Sequence, residues 1–111
     1  MRIRSKDSHS LYARLLEINR LAFSEAHYEV AYHALAAALH SASDRGDRER
    51  LTDVRRLANE QRDWIDTNQP DHRLSSNSAK ARGQHSLFDM LERQAEAAEV
   101  LTTLSPRLAK A

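Results

Sequence analysis

Cysteine is absent from the 111-residue chain, which removes disulfides, thiolate metal sites and a thiol nucleophile together. Glycine and proline occur only twice each, so few positions force a turn or end a helix. The few β-branched residues, such as Val30, Val54, Ile65 and Val100, are scattered instead of set in alternating runs, leaving little from which strands could be built. No run of about 18 apolar residues occurs, and the basic start Met1-Arg2-Ile3-Arg4-Ser5-Lys6 is not followed by an apolar stretch of signal length. These absences point to a cytoplasmic protein that neither enters a membrane nor carries a secretion signal. A marked excess of either sign of charge is missing too. Lys and Arg number 17 and Asp and Glu 16, for a net charge of +1, so attraction to phosphate backbones or anionic lipid would need local clustering.

What is present is helix-forming. Ala, Leu, Arg, Glu and Gln dominate, 41% of residues are hydrophobic and 30% charged, a composition that suits a folded helical chain with a thin core. The length fits one domain over residues 1–111. The expected architecture is all-α: a four-helix antiparallel bundle with helices over about 8–23, 28–43, 47–67 and 86–104 and a mobile loop at 70–85.

The first helix is capped by Asp7 or Ser8 and carries Leu11, Leu15, Ile18 and Ala22 as one apolar stripe. The segment Tyr28 to Ala42 repeats the pattern, with alanines that allow close helix approach, and is expected to be the most buried. A break at Ser24–His27 is favoured because a continuous helix would exceed about 30 residues. Asp44-Arg45-Gly46-Asp47 supplies a helix stop followed by a cap. The third helix has Leu51, Val54, Leu57, Ala58, Gln61, Trp64 and Ile65 on one side and mixed charges on the other. The stretch from Pro70 to His85 has almost nothing apolar to anchor it. A fourth helix starts near Ser86, with Ser86 and Asp89 three apart as in a capping box, and presents Leu87, Phe88, Leu91, Gln94, Ala95, Ala98 and Leu101 before Ser105-Pro106 closes it.

Leu15 and Ile18, then Tyr28, Ala31, Leu35 and the pair Ala38-Leu39, match the large and small positions of a helical hairpin. Residues 15–39 resemble a single tetratricopeptide repeat. At Asn19, Ala22 and Ala26 the chain departs from the small, aromatic and glycine residues usual there. The resemblance implies a helical scaffold that holds protein segments in a groove, without catalysis.

The motifs that carry chemistry point the same way. Glu29, His33 and His40 share a helical stripe, but His40 lies roughly 10 Å beyond His33 along the axis, too far to share one ion. No Glu-x-x-His pair for a di-iron bundle occurs, nor any glycine-rich phosphate loop, zincin motif or serine elbow. Arg45-Gly46-Asp47 spells an adhesion tripeptide but is explained as stop and cap. No catalytic residue, metal or cofactor is expected. Trp64 is expected in the core against the first or second helix; exposed, it would be the best binding anchor.

The leading expectation is therefore a non-catalytic protein-interaction or assembly module, with Tyr32, Trp64, His33 and His40 as candidate protein-binding residues. Its partner would be another protein, and homo-oligomerisation through the fourth helix is a further expectation. The alternative is a nucleic-acid-associated regulator using Arg2, Arg4 and Lys6 of the N-terminal arm and Arg73, Lys80 and Arg82 of the loop.

Overall fold

The computed structural model describes residues 10–104. Five helices follow in order, α1 (Leu11–Ser24), α2 (Tyr28–Asp44), α3 (Arg48–Asn68), α4 (Ser76–Ala81) and α5 (Leu87–Leu104), with no strand among the described residues. The protein is all-α. Helix α1 begins at the Ser10 hydroxyl, which accepts the Ala13 N–H at 3.1 Å. The anticipated caps Asp7 and Ser8, and the stop at Ser105-Pro106, lie outside the described residues.

Three helices end in one geometry. After α1 the His27 N–H reaches Ala22 O at 2.8 Å and the Ala26 N–H reaches Phe23 O at 3.0 Å. The same pair of bonds closes α2, from Asp47 to Ala42 O and Gly46 to Ser43 O, and α4, from Gln84 to Ala79 O and Gly83 to Lys80 O. Each turn needs one left-handed residue to satisfy the last carbonyls. Gly46 (φ 62) and Gly83 (φ 72) supply it without strain, whereas Ala26 (φ 65) adopts it with a Cβ attached. The break between the first two helices is thus present although no glycine marks it. Asp47 caps α3 as anticipated, accepting the Arg50 N–H at 3.1 Å.

Helices α1 and α2 pack antiparallel. Ala31, Leu35, Ala38 and Ala42 of α2 are fully buried, and the small side chains bring the backbones close. The expected α1 stripe is rotated, however: Leu11 is 67% and Ile18 48% exposed, while Tyr12, Asn19 and Ala22 are buried. The apolar band of α1 is wider than the surface it covers, and the long polar-tipped side chains turn toward α3, where they find hydrogen-bond partners.

Helices α3 and α5 form the second antiparallel pair. Leu51, Val54 and Ala58 meet Leu91 and Ala95 in the larger core cluster. Ion pairs border this contact. Arg62 reaches Asp89 at 3.0 Å and Glu92 at 2.6 Å, and Arg55 reaches Glu99 at 2.7 Å. Of the apolar face anticipated on α5, Phe88, Leu91 and Ala95 are buried, whereas Gln94 is exposed and Leu101 is 66% exposed. The Ser86 hydroxyl caps the Asp89 N–H at 3.0 Å, but the Asp89 carboxylate serves Arg62 and Arg93.

The stretch 70–85 is not the unanchored loop that its composition suggested. Ser75 accepts the Ser78 N–H and donates to Pro70 O. The Asp66 carboxylate binds Ser76 through both its N–H and its hydroxyl, at 2.8 and 2.7 Å. Leu74 is buried against Tyr28, Ile65 and Phe88, and Ala79 is 1% exposed. Two small footholds and a set of hydroxyl bonds hold a short helix, and neither produces a hydrophobic periodicity.

Candidate functional site

Helices α1 and α3 run parallel and are joined by side chains in three tiers. At one end the Tyr12 hydroxyl donates to Arg50 O at 3.2 Å, with the Arg50 guanidinium 4.6 Å from the Tyr12 ring centroid. Midway, Asn19 and Gln61 exchange amide hydrogen bonds of 3.0 and 2.7 Å, and Asn19 also donates to Ala31 O at 2.8 Å. At the far end Phe23 meets Trp64 edge-on, with centroids 5.5 Å apart. Burial, then the carboxylate of Asp53, push the Tyr12 phenol up to about 12, so it stays a donor throughout the physiological range.

Above these tiers lies an open groove. It is a depression of about 440 Å³ whose walls include Leu16, Glu17 and Arg20 of α1 and Glu49, Arg50 and Asp53 of α3. Helical spacing continues both walls as surface stripes. Leu16, Arg20 and Phe23 follow at four and three residues on α1, and Asp53, Leu57, Glu60 and Trp64 at four, three and four on α3, so each set lies on one stripe. These stripes lead from the depression at Tyr12 and Arg50 to the Phe23–Trp64 contact.

Trp64 is 43% exposed. It touches the first and second helices as expected, through Phe23 and Tyr28, but it lies over them instead of within the core. Five of the six aromatic residues gather at this end, Phe23, Tyr28, Tyr32, Trp64 and Phe88. Phe23 and Tyr28 form the bed on which the exposed indole rests.

The other candidates from the sequence are elsewhere. Tyr32 is half-buried against Phe88 of α5, with its ring 5.0 Å from that of His33. His33 is exposed, 3.8 Å from Glu29, and His40 is exposed farther along α2. The guanidinium of Arg73 bonds the Glu29 carboxylate and holds it below the usual range, so a cation at Glu29 and His33 would compete with an arginine already there. Among the described residues no three His, Asp or Glu side chains converge on a common point.

Several of the basic residues are already engaged, while Lys80 stands exposed. Arg73 holds Glu29, Arg82 donates to Arg73 O at 3.2 Å, and Arg56 pairs with Asp53 at 3.3 Å. Arg2, Arg4 and Lys6 lie outside the described residues. Among the described residues no helix is long and apolar enough to cross a membrane.

Sequence reasoning put Gln61 on the buried side of its helix but did not pair it with Asn19, noted there only as a departure from the repeat pattern. The available signal was the seven-residue spacing from Tyr12 to Asn19, which places both on one face. No protein-family model matches the chain, and comparison with curated proteins and with solved structures finds no match.

Proposed function

We propose that this chain is a non-catalytic protein-interaction module whose contact surface is the α1–α3 groove, with Trp64 as its anchor. The observation that carries the reading is the exposed indole seated on Phe23 and Tyr28. A large aromatic with restricted motion loses little entropy on binding, and tryptophan is enriched among residues that dominate interface energy. The likeness of residues 15–39 to a tetratricopeptide hairpin supports the same reading, since that family holds protein segments in grooves. The alternative of nucleic-acid association gains nothing from arginines already committed to Glu29, Asp53 and Glu99.

The test is affinity capture from nuclease-treated native lysate at low salt, comparing the wild-type chain with Trp64→Ala and identifying bound proteins by mass spectrometry. The expected result is a protein retained by the wild type and lost with the variant. Equal retention by both, or recovery of nucleic acid alone when nuclease is omitted, would overturn the proposal.

A further inference from the structure

The groove has a charge asymmetry that says what kind of segment fits it. Arg50 lies over the Tyr12 ring and pairs with Asp47 at 3.3 Å, and Asp53 pairs with Arg56. These four charges cancel locally. Of the remaining residues that line the depression, Glu17 and Glu49 carry exposed carboxylates and Arg20 alone is basic, and Glu60 stands exposed farther along α3. Glu60 sits one turn before Trp64 on the same stripe of α3. A cation over the indole face would therefore meet both the ring quadrupole and a nearby carboxylate.

From this we infer that the occupant of the groove is a lysine- or arginine-rich polypeptide segment bearing apolar side chains. Its cations lie along Glu49 and Glu60, and its apolar residues meet Leu16, Leu57 and Trp64. This rests on the interaction reading above and adds the chemistry of the partner. Leu16 at the wall and Leu57 on the adjoining stripe of α3 are half-buried, so apolar contact is available between the charges, and complementary potential fixes orientation and speeds encounter.

The chain holds a single tryptophan, so indole fluorescence reports binding directly. The probes are two tryptophan-free synthetic peptides of about twelve residues with the same leucine spacing. One carries lysine and the other glutamate at every polar position. The lysine peptide is expected to shift the emission and protect it from acrylamide. Its affinity should fall about tenfold in the double variant Glu49→Lys/Glu60→Lys and weaken as salt rises. Circular dichroism checks that the variant folds, and the milder Glu49→Gln/Glu60→Gln pair should give an intermediate loss.

Equal binding of both peptides, preference for the glutamate peptide, indifference to charge reversal or binding of neither would each overturn the inference. The interaction reading stands apart from it. If Trp64-dependent capture of a protein persists while the lysine peptide fails, the partner's assigned charge is wrong and the groove is still a protein-binding site. If capture is also independent of Trp64, both fall.

Discussion

The two helix pairs are held by different physics. The α1/α2 pair closes through alanines and Leu35, with Ala31, Ala38 and Ala42 fully buried, so its contact is short-range and indifferent to ionisation. The α3/α5 pair is edged by Arg62 with Asp89 and Glu92, and by Arg55 with Glu99 and Thr52. Both pairs are of similar length and both are antiparallel. The difference teaches that one half of the molecule answers to shape and the other to charge, and the Asn19–Gln61 amide pair is the buried polar bond that joins the halves.

Breaking that joint has the largest expected effect. Asn19→Leu leaves the Gln61 amide buried without its partner and deprives Ala31 O of a donor, so unfolding free energy should drop by about 3 kcal/mol in urea titration. Replacing both residues with leucine removes the orphan and should recover most of the loss. If the double variant is as unstable as the single one, shape and not hydrogen bonding sets this contact.

Arg62→Ala tests the charged half. It strands Glu92 and leaves Asp89 to Arg93, both carboxylates being about one-fifth exposed, and should cost about 2 kcal/mol. The loss should be partly restored when Asp89 and Glu92 are also neutralised. In the shape-dominated half, Ala26→Gly should raise stability by about 1 kcal/mol, because it relieves a Cβ held at φ 65. A decrease would mean that the entropy of the added glycine outweighs the strain.

The smallest effect is a matter of pH. Burial opposes ionisation of Glu99, but the Thr52 hydroxyl and the Arg55 guanidinium outweigh it and hold the carboxyl below its ordinary 4.5. A lowered folded-state pKa means that the unfolded chain binds the proton first as pH falls. The stabilisation is therefore present above 4.5 and lost as pH drops through the lower folded value. Glu99→Gln should flatten this part of the acid dependence in denaturation midpoints measured from neutral pH downward. An unchanged slope would remove Glu99 from the account.

Much of the helical framework was readable from residue spacing. Gly46 and Asp47 marked the boundary between α2 and α3, and Leu35, Leu51, Val54 and Phe88 stood on the faces that are buried. The turn at Ala26 was inferred from helix length alone, since the residue that adopts the left-handed geometry is not the one that signals it. The segment holding α4 was hidden because its anchors are Ser75, Asp66 and a lone Leu74, which carry no period. Within the candidate site, Trp64 was singled out, but its exposure depends on how far α1 rotates against α3. Tyr32, His33 and His40, chosen for exposed chemistry on α2, are not drawn into the groove.

The sequence by itself determined that the chain is helical, where most helices start and stop, and which chemistries lack the residues they require. These are local matters, set by side-chain entropy, capping and periodicity within a few residues. Only the tertiary structure decided that Leu11 faces outward while Asn19 is buried, that Asn19 and Gln61 meet, and that Trp64 lies exposed over Phe23 and Tyr28. Those outcomes depend on the rotation and register of helices far apart in sequence. An apolar band wider than the contact it must cover leaves that rotation open until the partner helices are in place.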